Sequence, residues 1–532
     1  MNWLPLLVCP LVLSLPGDQE LTLRTNVREV EVSLVATDAK GAPVEGLDVH
    51  DFRVWDNGKE QSIARFEKIG VSSAAAPAGP LPPNTYSNRI GQAGAIGFGK
   101  TARPQVLSMI LLDAVNTKFR NQTVARQAVE NIIDHLQPEE RVAIYAFGSN
   151  LRIIHDFSSD RASLLARLRA YHGESPLRDS LLEDLDLGTA AGADTPGNAP
   201  CLARTAPETP FELQAKNARI LDTLEALESI ANHVKGVPGR KNLLWVSAAF
   251  PMAIGQLALR GPIIAPSANS GRRSPYEDLR TYGNELNQTL AVLNDANVSV
   301  YPIDARGLSC NPDAAINIDT MRDIADATGG KAFYNRNDIA TGVRASLDDS
   351  HEVYLLAYSP HPLVENGAYH RIRVQSARPG VHLRYRRGYY APGGDQPDSA
   401  GIADRLTEVV SSPLDASEIG IEASVERSAD EINLVIHVDP ADLNLTPAGG
   451  KWTGSLRLEG MQIGATGERL GGVHQAAKID LEQATYQRVL QQGLPFEMKF
   501  KREPAAVAVR IGVVDARGGH AGSLSVRLPP LR

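Results

Sequence analysis

The chain has 532 residues, and its formal net charge of −8 at pH 7 indicates a mildly acidic surface. Hydrophobic residues make up 43% of it and charged residues 22%, as in an ordinary soluble globular protein, and three cysteines exclude a small disulfide-stapled scaffold. Basic residues are dispersed along the chain, so no nucleic-acid partner is expected. At ~100 to 200 residues per domain, this length predicts two to four domains.

The first residues carry a targeting signal. Residues 3 to 15, WLPLLVCPLVLSL, form an apolar run of signal-peptide length, shorter than the ~20 residues that a membrane-spanning helix needs. We therefore predict a signal peptide over residues 1 to 20 and an exported protein, although no Lys or Arg precedes the run. No later segment reaches membrane-spanning length, so no transmembrane span is expected. Cys201 and Cys310, both in Pro-flanked loops, are either a disulfide pair or two free thiols.

A short β unit and a linker follow. Residues 24 to 69 alternate apolar and polar side chains in the manner of β-strands. Asn57-Gly58 lies between two such runs and is a strong hairpin signal, because both central residues of a type I′ turn need positive φ. The segment predicts a small antiparallel β unit. Residues 71 to 104 are rich in Ala, Gly and Pro without apolar periodicity, and they predict a flexible linker.

The pattern changes at residue 105. The near-continuous apolar run VLSMILL, which ends at Asp113, is typical of a strand buried on both faces of a parallel sheet. Amphipathic helices and further buried strands then alternate as far as residue 350. This alternation predicts an α/β domain over residues 105 to 350, with a doubly wound, mostly parallel sheet that carries helices on both faces.

The chain then returns to β patterns. Residues 352 to 391 contain strand-like runs, and residues 400 to 532 contain short alternating runs separated by turns, which favours a C-terminal β-sandwich. The strands of residues 24 to 69 and of residues 352 to 391 are each too few for an independent core. We therefore hypothesise that the two groups form one sandwich into which the α/β domain is inserted.

Several phrases of the sequence closely resemble a bacterial family called the VWFA-related acidobacterial domain. They are ATDAKGAPVEGL and DFRVWDNGKEQSIARFE near the start, GVPGRKNLLWVSAAFP and YPIDARGL in the α/β region, and YHRIRVQSARPGVHLRYRRGYYAP after it. The resemblance covers roughly residues 25 to 392. It implies a von Willebrand factor A-like fold for the α/β domain, flanked by β-sandwich units.

The resemblance also implies a metal-dependent adhesion motif, in which two Asp, two hydroxyls and a loop Thr hold Mg²⁺ through oxygen atoms. Asp113 stands at the first Asp, Thr117 at the second hydroxyl, and Ser175 is the candidate for the loop Thr. Val115 removes the first hydroxyl, and Trp245-Val246-Ser247 ends the strand where the second Asp is expected. The motif is degenerate, and the loss of one carboxylate predicts weak binding of Mg²⁺ or Ca²⁺ at best.

These observations predict an exported, non-catalytic binding, adhesion or scaffold protein. Its A-like domain would engage a protein partner at the upper edge of the sheet, with or without a metal ion. Capping and turn roles are the alternative for Asp113 and Thr117. A second hypothesis is a subunit of an intracellular metal-chelation machine, against which the N-terminal apolar run argues. A third is a hydrolase that uses carboxylates of the loop 173 to 210, namely Glu174, Asp179, Glu183 and Asp184.

Overall fold

The computed structural model describes residues 29–70, 81–82, 84–90, 98, 105–173, 210–248, 250, 276–306, 312–335, 338–362, 366–391, 398–427 and 431–528. The predicted signal peptide, the three cysteines, Ser175 and the four loop carboxylates lie outside these residues. Among the helices that the structure describes, none is both long enough and apolar enough to cross a membrane.

The strands, in chain order, are β1 (Val30–Thr37), β2 (Phe52–Asp56), β3 (Lys59–Gln61), β4 (Arg65–Ile69), β5 (Thr85–Ser87), β6 (Gln105–Asp113), β7 (Val142–Phe147), β8 (Leu151–Ser158), β9 (Gly239–Ser247), β10 (Val298–Asp304), β11 (Val353–Tyr358), β12 (Tyr369–Ser376), β13 (His382–Arg384), β14 (Gly388–Tyr390), β15 (Ile421–Arg427), β16 (Glu431–Val438), β17 (Thr446–Ala448), β18 (Lys451–Ile463), β19 (Arg469–Glu482), β20 (Leu494–Lys501), β21 (Ala508–Asp515) and β22 (Ala521–Arg527). The α-helices are α1 (Phe119–Asp134), α2 (Arg161–Ala170), α3 (Pro210–Val234), α4 (Tyr276–Asp295), α5 (Pro312–Thr328), α6 (Ile339–Asp348), α7 (Ser399–Ser411) and α8 (Gln483–Gln492).

The central region forms a five-stranded sheet in the order β10-β9-β6-β7-β8. Its strands are parallel except for the edge strand β8, which runs antiparallel to β7. Successive side chains of β6 point to opposite faces: Met109 and Leu111 lie in one hydrophobic core, and Ile110 and Leu112 lie in the other. A strand buried on both faces explains the continuous apolar run. The structure confirms the predicted fold, a doubly wound, von Willebrand A-like α/β domain.

Strands from both sides of this domain share two sheets. One sheet has the order β13-β1-β11-β4 and the other the order β14-β12-β2-β3, so each contains strands from before and after the α/β domain. Apolar side chains from both sheets, among them Leu34, Val54, Leu356 and Val374, form a single hydrophobic core. Neither group of strands closes a core alone, and each therefore depends on the other.

A buried polar cluster connects four strands of these two sheets, β2, β11, β12 and β14. The Asp56 carboxylate at the end of β2 accepts hydrogen bonds from the hydroxyl groups of Tyr358 (3.0 Å) and Tyr389 (2.7 Å). Nδ1 of His370 lies 2.8 Å from the other carboxylate oxygen. Because a buried carboxylate is costly without partners, this cluster specifies how β2, β11, β12 and β14 meet.

The predicted flexible linker 71 to 104 is wrong over part of its length. Residues of β5 pair antiparallel with β15 of the C-terminal region. The Asn88 side-chain amide donates to the carbonyl of Ile419 at 2.8 Å, and Ile90 is buried in a core of the α/β domain. The sequence pattern missed this strand because its partners lie more than 300 positions away, as the Asn88–Ile419 separation of 331 residues illustrates.

The C-terminal region consists of a sheet β20-β16-β15-β5 facing a sheet β17-β18-β21-β22, with β19 added to β18. Apolar side chains of both sheets share one core. The α/β domain contacts this region in the last turn of α3 and just after it. Nδ1 of His233 lies 2.6 Å from the carbonyl oxygen of Asp415, and the Gly236 amide donates to Oγ of Ser417 at 3.0 Å.

Candidate functional site at the upper edge of the central sheet

The carboxyl ends of β6 and β9 form the candidate site, and we call this end of the sheet the upper edge. The two strands are parallel neighbours, with Leu112 opposite Val246, so Asp113 and Ser247 emerge side by side. From β6 the chain builds outward to β7 and β8, and it later crosses to β9 and β10 on the other side. In sheets of this kind, ligands bind in the crevice at the carboxyl ends where the strand order reverses.

The Asp113 carboxylate is buried, with 2% of the residue exposed, and its oxygens accept four hydrogen bonds. Oδ1 accepts the backbone N–H of Asn116 at 3.0 Å. Oδ2 accepts the Asn116 side-chain amide at 2.9 Å, the Trp245 indole N–H at 3.0 Å and the Ser247 hydroxyl at 2.8 Å. The charge is thus held entirely by uncharged donors of the protein.

Burial nevertheless raises the pKa of Asp113 above its usual value, against the opposing effect of the hydrogen bonds from Asn116, Ser247 and Trp245. The side-chain amide of Asn116 also donates to Oγ1 of Thr223 on α3 at 3.0 Å. The network therefore reaches from β6 and β9 to a covering helix. These hydrogen bonds hold the loop after β6 in place.

Thr117 lies at the same place and is also buried. Its hydroxyl oxygen accepts the backbone N–H of Ala248 at 2.9 Å, and its carbonyl accepts the Gln122 side-chain amide at 2.8 Å. The space left beside Asp113 and Thr117 is a cavity of about 10 Å³, partly lined by Tyr171. That volume holds at most one water molecule.

The described residues at this edge do not by themselves supply a ligand set for a divalent cation. Mg²⁺ and Ca²⁺ need six or more oxygen ligands at ~2.0 to 2.6 Å, whereas Asp113 faces N–H and O–H groups and Val115 presents methyl groups in place of a hydroxyl. Across the described part of the chain, no group of three or more His, Cys, Asp and Glu residues could hold a metal ion. Asp113 and Thr117 are brought together, but Ser175 is outside the described residues, so the predicted three-residue site stays a prediction.

Sequence reasoning treated the end of β9 only as the loss of a second Asp. In the structure Trp245 and Ser247 are donors to Asp113, and Asn116 in the loop after β6 is a third. The signal was available: residues two apart on a strand share a face, and the register of β6 with β9 places Trp245 and Ser247 on the same face of the sheet as Asp113. Asp304, at the end of β10, is held by the Arg306 guanidinium at 3.0 and 2.8 Å.

Comparisons with known proteins name no family for this chain. No protein-family model and no curated protein sequence matches the chain. Among solved structures, an aerotolerance-related membrane protein from Bacteroides fragilis is 13% identical, over 46% of this chain and 98% of that one, with a TM-score of 0.20. A von Willebrand factor type A protein from Catenulispora acidiphila is 11% identical over 66% of this chain and 81% of that one, with a TM-score of 0.26.

The PilB minor pilin from Streptococcus sanguinis is 12% identical, over 47% of this chain and 63% of that one, with a TM-score of 0.26. TM-scores this low establish no relationship over the whole chain. The fold assignment therefore rests on the strand order, the strand directions and the buried β6. These features define a von Willebrand A-like α/β fold, and an internal hydrogen-bond network lies at the carboxyl ends of β6 and β9.

Proposed function

We propose that the protein is an exported, non-catalytic binding or scaffold protein, whose A-like domain engages a protein partner at the upper edge without a metal ion. The observation that carries this proposal is the saturation of Asp113 by Asn116, Trp245 and Ser247. Because uncharged donors already bind both oxygens of this carboxylate, we expect the edge to be stable without a cation. Recognition there depends on the surface around the network.

One exposed side chain suits such recognition. Phe119 is the first residue of α1, directly after the loop that follows β6, and it is 51% exposed. Aromatic residues are enriched at the centres of protein interfaces, where they contribute large apolar area. Phe119 is therefore our candidate contact residue for the partner.

Export and the finer family are further parts of the proposal. Export is supported by the apolar run at residues 3 to 15, and membership of the VWFA-related acidobacterial family by the sequence phrases between residues 36 and 392. The catalytic alternative relied on carboxylates that lie outside the described residues, and no observed contact favours it.

The metal-free part is tested by calorimetric titration of Mg²⁺, Mn²⁺ and Ca²⁺ into the purified full chain and into Asp113→Asn. We expect no binding heat with either protein. Heat in the wild type that disappears in Asp113→Asn would contradict metal-free recognition. The matched control is Asp480→Asn, which removes an exposed carboxylate of β19.

The binding part is tested by a photo-reactive amino acid at position 119 in cells that produce the protein. A covalent adduct with another protein is expected from this position, and it should persist in EDTA. The same group at Val507, a 46% exposed residue of the C-terminal region, is the control. Adducts from both positions, or from neither, would contradict a partner site at the upper edge.

A further inference from the structure

The outer face of the sheet β14-β12-β2-β3 carries exposed arginines. Arg371 and Arg373 are two residues apart on β12, and Arg53 is on the neighbouring strand β2. Trp55 on β2 is directly opposite Arg373. We call Arg53, Trp55, Arg371 and Arg373 the basic face. It belongs to the β-sandwich and lies apart from the upper edge of the α/β domain.

Contacts on this face leave its positive charge largely uncompensated. The Arg373 guanidinium lies 5.3 Å from the centre of the Trp55 ring, a cation–π contact that needs no anion. Among the residues that the structure describes, neither Arg371 nor Arg373 forms an ion pair within 4 Å. Glu60 on β3 is an acidic neighbour opposite Trp55, so three arginines face one glutamate.

Two other arginines near this face, Arg384 and Arg387, do form ion pairs. Arg384 is paired with Asp349 at 2.7 Å, and Arg387 with Asp326 at 2.6 Å. Their charges are thus compensated by the α/β domain that packs beside the sheet. Arg384 and Arg387 thus connect the sheet to the α/β domain, whereas Arg371 and Arg373 are exposed to solvent.

A large open cleft adjoins the basic face. Its volume is about 880 Å³, and its walls include Trp55, Arg371, Arg373, the Arg387–Asp326 ion pair and the Gly329-Gly330 segment after α5. That volume is at the upper end of the range usual for ligand sites, roughly 300 to 1,000 Å³. Beyond Arg371, the exposed rings of Tyr369 and Tyr390 pack edge to face, with centres 5.2 Å apart. Positive charge and aromatic surface therefore line one continuous region.

The guanidinium groups of this region predict an anionic ligand. The spacing between the arginines along β12 predicts which kind of anion fits. Guanidinium groups bind carboxylates through two parallel hydrogen bonds. Alternate residues of an extended strand are roughly 6.6 to 6.8 Å apart, which is the spacing between Arg371 and Arg373 along β12 and also between alternate residues of an extended ligand. We propose that the basic face binds an extended acidic peptide segment of a partner protein, with alternate carboxylates on Arg371 and Arg373.

The test uses the full chain and a fluorescein-labelled peptide of alternating Glu and Thr, followed by fluorescence anisotropy. The double variant Arg371→Gln/Arg373→Gln should raise the Kd by roughly tenfold or more, because two charge-assisted pairs are lost. Arg457→Gln, which removes an exposed arginine of β18, should leave the Kd unchanged. Thermal unfolding of each variant checks that these exposed substitutions preserve the fold.

Further arms distinguish paired recognition from general attraction. Arg371→Lys/Arg373→Lys keeps the charge but not the forked geometry, so it should recover only part of the affinity. A peptide with its Glu residues in one contiguous block should bind more weakly than the alternating peptide. Equal binding of the alternating peptide to wild type and to the Gln variant would overturn the proposal. So would tighter, arginine-dependent binding to anionic lipid vesicles or to a sulfated polysaccharide.

Discussion

The indole N–H of Trp245 donates to the Asp113 carboxylate across 3.0 Å, although the two residues are 132 positions apart. They are brought together because β6 and β9 are parallel neighbours at the point where the strand order reverses. A residue chosen for a buried, apolar strand thus also supplies a polar group to the upper edge. This contact makes Asp113 part of a structural hydrogen-bond network.

Removal of the Asp113 side chain should therefore be costly whether or not metal is present. In Asp113→Ala the Asn116, Trp245 and Ser247 donors lose their acceptor in a buried place, and we expect a loss of about 3 kcal/mol in unfolding free energy. Urea unfolding with and without Mg²⁺ measures it, with Asp480→Ala as the exposed control. A wild-type transition that shifts to higher urea on addition of Mg²⁺ would show that the network is not self-sufficient.

The stability of the α/β domain should depend on pH through Lys241. Burial lowers the pKa of this ammonium group to about 7, while its Nζ donates to the carbonyl of Ala296 at 2.8 Å. Glu31 and Asp295 oppose this lowering, and Lys235 adds to it. The unfolded chain, with a lysine pKa of 10.5, keeps its proton up to higher pH than the folded protein.

The sign follows from proton counts. Between about pH 7 and 10.5 the unfolded state binds more protons, so the Lys241 contribution makes stability rise with pH. Below about pH 7 both states are protonated, and the cost of burying the charge is constant. Lys241→Met should remove this slope and stabilise the protein most at pH values below about 7. Urea midpoints at several pH values, compared with the exposed control Lys478→Met, measure it; parallel profiles for wild type and Lys241→Met would contradict the assignment.

The stability of the two sheets that combine strands from before and after the α/β domain should depend on Asp56. Substitution with Ala leaves Tyr358, Tyr389 and His370 without their shared partner, and we expect a loss of roughly 3 to 5 kcal/mol. Tyr389→Phe removes one donor and should cost about 1 kcal/mol. Hydrogen exchange is the suitable measurement because it reports each region separately. Faster exchange is expected in β1 and β11 as well as β2; an effect confined to β2 would mean that the two sheets do not open together.

The contact between the α/β domain and the C-terminal region should be sensitive to Gly236. A Cβ atom at this position would lie 1.9 Å from the carbonyl oxygen of Ser417, which is far below van der Waals contact. Gly236→Ala should therefore force the two apart locally and accelerate proteolysis of the chain between α7 and β15. Gly471→Ala, whose Cβ would meet nothing closer than 3.9 Å, is the matched control. Unchanged proteolysis in Gly236→Ala would show that the backbone can shift at no cost.

Local patterns predicted the elements that repeat in the central region. The run that ends at Asp113 predicted a strand buried on both faces, and β6 is completely buried. The Asn57-Gly58 hairpin is also observed, with positive φ at both residues and β2 paired to β3. Both features depend on residues that are close in sequence or on burial of both strand faces. They can therefore be predicted from one sequence.

The candidate site was predicted only in part. The positions of Asp113 and Thr117 followed from the resemblance, and both lie at the predicted edge. The full network did not follow, because two of the donors to Asp113, Trp245 and Ser247, come from a strand more than 130 positions later. The ordered segment around β5 was missed for the same reason: three residues without apolar periodicity are held by β15 and not by their own sequence.

The sequence by itself determined that this chain contains a doubly wound α/β domain with β regions around it, because burial periodicity and turn chemistry are local. The von Willebrand A type was implied by the resemblance of its sequence phrases to a known family. The tertiary structure alone decided that Asp113 is braced by Trp245 and Ser247, and that Arg371 and Arg373 face outward beside Trp55. Both outcomes depend on which distant strands become neighbours. Strand pairing is settled by the packing of whole sheets, which no short pattern encodes.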